Sequence, residues 1–64
     1  MTDWIGKLVV INNNPSTRQL DDQIGKSGVI IDVLVLKNRV SSWMIRINGN
    51  DYIADSVSDF QIKQ

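Results

Sequence analysis

Three aspartates near the C-terminus, Asp51, Asp55 and Asp59, recur every four residues. On a helix this spacing would align their carboxylates on one face, which is an arrangement that a hard cation could use. The neighbouring residues supply no further oxygen ligands at the spacing of a cation-binding loop. We therefore interpret the three as solvated turn and cap residues, and we expect no metal site.

A second short pattern, Gly25-Lys26-Ser27, matches the end of a phosphate-binding loop. That loop requires another glycine five residues upstream, and Leu20 stands at this position. The pattern is also what a turn into a strand would carry. We prefer the turn and expect no cofactor.

Acid–base chemistry has few candidates in this chain, which contains no His, Cys or Glu. Asp21 and Asp22 are adjacent in sequence, but neighbouring side chains point apart on a strand or a helix. A general base poised near neutral pH would need an Asp whose pKa is raised by burial, and so small a domain offers little depth for that. We predict no catalytic residues and no enzymatic activity.

The composition of the 64 residues indicates one domain, spanning residues 1–64, near the lower limit at which a core can offset the ordering entropy. Without cysteine, stability must come from that core or from self-association. Seven Lys and Arg balance seven Asp, which argues against general attraction to nucleic acid or to acidic membranes. The apolar runs are too short to cross a bilayer, and the N-terminus lacks signal-peptide features, so we expect a cytoplasmic protein with no membrane partner.

The strongest local signal is Asn48-Gly49 between two apolar runs, because both residues tolerate the positive φ of a tight hairpin turn. Alternation then places Trp43, Ile45 and Ile47 on one face of the preceding strand and Met44 and Arg46 on the other. The pattern predicts a hairpin whose strands cover residues 43–48 and 51–54.

Other strands are predicted at residues 5–11, 28–36 and 60–63, where β-branched and apolar residues concentrate. Residues 15–24 read either as one or two helical turns, with Asn14 as a cap and Gly25 as a stop, or as a long excursion between strands. Residues 37–41 are expected to form a charged loop. At the C-terminus we favour a helical turn over 55–58, because Asp and Ser form helices poorly, and the alternative is a helix from Tyr52 onward.

These elements resemble the SH3-like barrels. Gly6-Lys7-Leu8-Val9-Val10-Ile11 is similar to the first strand of KOW-type barrels, and Gly25-Lys26-Ser27-Gly28-Val29-Ile30 is similar to their second strand. Asp51 to Val57 lies where SH3 domains carry a Tyr-Ile-Pro-Ser turn, with Trp43 near the start of the preceding strand. The resemblance implies an all-β, five-stranded SH3-like barrel with a long first loop and a one-turn helix before the last strand.

The resemblance also limits the expected activity. Ala54 replaces the turn proline, and the aromatic run that precedes the first loop of SH3 domains is absent, so recognition of Pro-rich peptides is not expected. The type II dihydrofolate reductases are SH3-like barrels that form an active pore as tetramers. Phe60-Gln61-Ile62-Lys63 matches their Val-Gln-Ile-Tyr run only in part and lacks the tyrosine, which leaves an oligomeric-pore enzyme as the weakest alternative.

The chain has more apolar strand residues than one small barrel interior can hold. If Val9 and Ile11 point inward, Leu8 and Val10 point outward, and the strand Val29 to Leu36 is apolar on both faces apart from Asp32. The surplus either forms a minor second core or makes an apolar face that docks a protein or a second copy. We expect a non-enzymatic regulator, inhibitor or assembly subunit whose partner-binding residues are Leu8, Val10, Ile31, Val33, Trp43 and Met44.

Nucleic acid is the alternative partner, as in KOW-like domains of the transcription or translation machinery. Lys37, Arg39 and Arg46 could cluster beside Trp43, whose ring would serve as a stacking platform. A basic patch around Trp43 would favour this alternative, and scattered cations would disfavour it.

Overall fold

The computed structural model describes residues 2–63, which form a small all-β domain. Five antiparallel strands make one sheet in the order β4-β3-β2-β1-β5. Short 3-10 helices at Thr2–Trp4, Arg18–Gln23 and Val57–Asp59 connect or precede them. The strands are β1 Leu8–Ile11, β2 Ser27–Leu36, β3 Arg39–Ile47, β4 Asn50–Ala54 and β5 Phe60–Ile62.

The sheet has two edges in the part of the chain that the structure describes. β4 pairs with β3 and β5 pairs with β1, and no ladder joins β4 to β5 within residues 2–63. The prediction of five strands is therefore confirmed, whereas closure into a barrel is not shown. No helix among the described residues is long and apolar enough to cross a membrane.

The predicted hairpin at Asn48-Gly49 is confirmed. Both turn residues have positive φ, 51° and 84°, and Ile47 pairs with Asn50 across the turn. The prediction placed Asn48 in the strand, but β3 ends at Ile47 and Asn48 belongs to the turn. Trp43 and Ile45 face the core as the alternation predicted.

Two predicted strand boundaries are wrong by more than one residue. The first strand begins at Leu8 and not at Ile5, because Lys7 N–H donates to the Trp4 carbonyl in a turn and Gly6 takes a φ of 92°. The charged loop predicted over residues 37–41 is a two-residue turn, Lys37-Asn38, with φ values of 52° and 65°. Arg39 already lies in β3, which makes the β2–β3 hairpin much longer than expected.

A β-bulge in β2 resolves part of the apolar surplus. Ile30 pairs with Ile45 and Asp32 pairs with Met44, so Ile31 is an extra residue between the two pairs. The bulge changes the alternation, so that Ile30 before it and Val33 after it both pack toward the core. One strand can thus place residues 30 and 33, which are three apart, on the same face.

Helical turns occupy both ambiguous segments. The loop between β1 and β2 contains the 3-10 helix Arg18–Gln23, whose Leu20 is fully buried, so the helical alternative holds for this loop. The predicted cap is wrong, because Thr17 and not Asn14 precedes the helix. Before β5, Val57–Asp59 forms one turn, with the Ser56 hydroxyl accepting from Ser58 N–H. This confirms a turn before the last strand, shifted from the predicted 55–58, and it excludes a helix from Tyr52 onward because Asn50–Ala54 is a strand.

The core lies on one face of the sheet under the loop helix. Trp4, Trp43 and Phe60 meet edge to face there, with ring centroids 5.3 to 6.3 Å apart. Such contacts add to the burial of the rings. The buried hydrophobic residues are Val9, Ile11, Leu20, Ile30, Trp43, Ile45, Ile47, Ala54 and Phe60.

Candidate functional site

A concave pocket of about 260 Å³ opens on strands β2, β3 and β4. Most of its lining is apolar, with one carboxylate and one hydroxyl, which is the composition of a site that takes an apolar group and fixes it with a few polar contacts. The lining residues are Asp32, Val33, Leu34, Ser42, Trp43, Met44 and Ile53.

The strand pairings explain why these side chains meet. Met44 on β3 pairs with Asp32 on one side and with Ile53 on the other, so the three form a row across the sheet. Side chains of directly paired residues share a face. The next row toward the β2–β3 turn is Leu34 with Ser42. We call the side of the sheet that carries these rows the outer face.

Asp32 is the charged member of the pocket lining. Its Oδ1 accepts the backbone N–H of Val33 at 2.8 Å. This N–H donates to a side chain and not to a carbonyl of β3. The N–H therefore points to the free edge of β2, because the pairing of β2 with β1 ends at Val29. A carboxylate there occupies a donor that an added strand would otherwise use. The side chain itself is exposed and remains in contact with solvent.

Trp43 corrects the prediction of an exposed binding edge. The residue is only 6% exposed, and its ring packs between Trp4 and Phe60 in the core. The indole N–H has no hydrogen-bond acceptor among residues 2–63. Trp43 therefore supports the pocket from beneath and presents no free ring face for a partner or a base to stack on.

The other predicted partner-binding residues lie in three places. Val33 and Met44 line the pocket. Leu8, 55% exposed, and the half-buried Val10 lie on the outward side of β1, next to Val29 and Ser27 of β2. Their outward orientation is as predicted. Half-buried Ile31 lies at the bulge and outside the pocket lining.

The predicted nucleic-acid residues do not form one patch. Lys37 and Arg39 lie at the β2–β3 turn, and Arg46 lies seven residues along β3, about 20 Å away at strand spacing. Arg46 is also paired with Asp51, Nε to Oδ1 at 2.8 Å. The hydrogen bond and the charge of Asp51 raise the pKa of Arg46, and the hydrogen bond from Arg46 lowers the pKa of Asp51. Because these cations are scattered and Trp43 is buried, these four residues do not form the predicted stacking platform beside a basic patch.

The three aspartates at four-residue spacing lie in three different environments. Asp51 lies on β4 and is paired with Arg46 of β3, Asp55 is an exposed bend residue, and Asp59 is fully buried at the end of the last 3-10 turn. No group of three metal-ligating side chains occurs within residues 2–63. The loop at Gly25 likewise uses its N–H groups internally, since Gly25 donates to Ile11 and Lys26 donates to Gln23.

Asp59 is a structural residue that the sequence analysis missed. Its carboxylate accepts from the N–H and hydroxyl of Ser16, at 2.7 and 2.9 Å, and from the hydroxyl of Thr17 at 2.8 Å. Burial by itself would raise the pKa of Asp59, but these hydrogen bonds outweigh burial and lower the pKa. No local pattern indicates this pairing, because the partners are more than 40 residues apart.

Comparisons with known proteins add no relative to this description. The chain matches no protein-family model, no curated protein and no solved structure at a significant level. The function of this chain is therefore inferred from the geometry of the outer face.

Proposed function

We propose that this chain is a non-enzymatic protein-binding module that docks its partner on the outer face of β2, β3 and β4. The single observation that carries the proposal is the pocket of about 260 Å³, whose lining combines the apolar residues Leu34, Met44 and Ile53 with the carboxylate of Asp32. Leu34 is 53% exposed, so its side chain is available to a partner that enters this pocket.

The proposal also includes the fold. We propose that the five strands form an SH3-like barrel, which is supported by the strand order β4-β3-β2-β1-β5, the long loop before β2 and the one-turn helix before β5. In such a barrel one side of the sheet fills the interior, and the apolar residues of the other side are available for binding.

Protein is favoured over nucleic acid by the charge in the pocket. Asp32 is the one ionisable residue in the pocket lining, and a carboxylate repels phosphate. Aliphatic side chains around it suit a partner that buries apolar groups, as the centre of a protein interface does.

The proposal is tested by site-specific photo-crosslinking in the cell that makes the protein. A photoreactive amino acid at Ser42 lies in the pocket lining, and the same amino acid at Gln61, an exposed residue on β5, is the matched control. We expect a discrete adduct with a polypeptide from position 42 and none from position 61. Equal adducts from both positions, or no polypeptide adduct from position 42, would overturn the proposal.

A further inference from the structure

The β2–β3 hairpin extends beyond the rest of the sheet. β1 pairs with β2 only as far as Val29, and β4 pairs with β3 only as far as Trp43. The part of the hairpin from Leu34 to Ser42 therefore pairs only with itself. We call residues 34–42 the arm.

The arm carries a projecting apolar side chain next to a cation on the outer face. Leu36, 55% exposed, pairs across the hairpin with Arg39, which is also exposed. The pocket has the opposite character, because it is concave, apolar and acidic. The outer face thus holds both a projection with a positive charge, formed by Leu36 and Arg39 and called the knob, and a pocket with a negative charge, that of Asp32.

The spacing of the knob and the pocket along the strands indicates which partner fits both. On β2, Asp32 lies two residues before Leu34 and Leu36 lies two residues after it, about 7 Å on either side. On β3, the bulge opposite Leu34 and Val35 brings Arg39 into the row of Leu36. The row of the pocket and the row of the knob are therefore equidistant from the Leu34–Ser42 pair.

We infer that the partner is a second copy of this chain, packed outer face to outer face about a two-fold axis that crosses the strands at Leu34 and Ser42. This inference rests on the proposed binding surface. The two-fold axis reverses the strand direction, so that the Leu36–Arg39 row of each copy lies over the Asp32–Met44 row of the other. Leu36 then enters the pocket beside Met44, and Arg39 reaches Asp32.

The interface is isologous, so each contact occurs twice. Arg39 is on β3 and therefore lies over Met44 of the other copy, one strand away from Asp32 on β2. Neighbouring strands are only about 5 Å apart, and the long side chain of Arg39 spans this distance. The net charge of the chain is zero, so two copies meet without overall repulsion. A stable interface buries roughly 800 Å² per partner. The contact inferred here involves only two rows of side chains, and we therefore expect a weak dimer that must be measured at high concentration.

The test uses the full chain and a pair of charge reversals. Asp32→Arg gives a face with two cations, and Arg39→Asp gives a face with two acids. Each variant alone would place like charges together twice, so we expect each to remain monomeric up to about 1 mM, where the unchanged protein forms a dimer. Mixed in equal amounts, the two variants restore both opposite-charge contacts and form a heterodimer.

Sedimentation velocity from about 10 μM to 1 mM measures these states, with Gln61→Lys as a control that dimerises as the unchanged protein does. Leu36→Glu is an independent variant that keeps Asp32 bonded to Val33 and is expected to be monomeric with an unchanged circular dichroism spectrum. The inference is overturned if the unchanged protein stays a monomer at 1 mM, or if the mixed variants fail to associate. A monomer whose position 42 still crosslinks to a different polypeptide would retain the proposed function and reject self-association.

Discussion

The carboxylate of Asp59 accepts a hydrogen bond of 2.8 Å from the hydroxyl of Thr17, a residue 42 positions earlier. The same hydroxyl accepts the backbone N–H of Asp55 at 2.9 Å. Thr17 thus joins the loop before β2 to the turn before β5. A buried charge without a cation is tolerated here because its oxygens are occupied by donors from Ser16 and Thr17.

We predict that Asp59→Asn lowers the free energy of unfolding by about 2 to 3 kcal/mol, because it removes charge-assisted hydrogen bonds and turns amide protons toward hydroxyl and N–H donors. Asp55→Asn is the matched control, since the Asp55 side chain is exposed, and its effect should stay within about 0.5 kcal/mol. Urea unfolding at pH 7 measures both. Equal effects at the two positions would mean that the network contributes little.

The same network predicts how stability depends on pH. The hydrogen bonds lower the pKa of Asp59 in the folded state below the value of about 3.9 for an unfolded Asp. The stabilisation is therefore complete above about pH 4 and is lost as the pH falls through the folded pKa. Urea midpoints from pH 2 to 7 should show the advantage over Asp59→Asn shrinking only below about pH 4. An advantage that is constant across this range would contradict the prediction.

The hairpin at Asn48-Gly49 and the outward orientation of Leu8 could be predicted from sequence because both follow from local rules. Positive φ at Asn and Gly is a property of the residues themselves, and alternation along a strand is a property of the backbone. The burial of Asp59 and the bulge at Ile31 could not be predicted this way, because each depends on a partner strand or loop that is distant in sequence.

The pocket was predicted only in part for the same reason. Val33 and Met44 were identified from the apolar surplus, but Ile53 and Ser42 join them through cross-strand register, which a single strand does not reveal. The arm was missed because Lys37-Asn38 lacks the glycine that usually marks a two-residue turn. A signal was present, since apolar residues continue to Leu36 and resume at Val40.

Gly28 is a position where the packing of β2 excludes a side chain. An added Cβ would lie 2.7 Å from side-chain carbons of Ile45 and Ile47 and 2.8 Å from the carbonyl oxygen of Arg46. Because backbone atoms cannot move away as a flexible side chain does, we expect Gly28→Ala to cost about 1 to 3 kcal/mol. For a domain of this size that lowers the melting temperature by about 5 to 20 °C.

Thermal unfolding followed by circular dichroism measures the effect of Gly28→Ala, with Ser27→Ala as the control at the neighbouring exposed position. The control should melt within a few degrees of the unchanged protein, since it removes only an exposed hydroxyl. A Gly28→Ala protein that melts with the control would show that β2 and β3 separate easily at this point.

The turn of the arm offers a way to stabilise the fold. Lys37 has a φ of 52°, which disfavours a side chain of this kind, whereas Asn48 adopts a φ of 51° in the other hairpin with a residue suited to it. We predict that Lys37→Asn raises the free energy of unfolding by about 0.5 to 1 kcal/mol and that the reciprocal change, Asn48→Lys, lowers it by a similar amount. Urea midpoints at about 10 μM, well below the concentrations at which we expect self-association, keep the comparison to the single domain. The two substitutions must change the free energy of unfolding in opposite directions, because both exchange the same two residue types in the same backbone conformation.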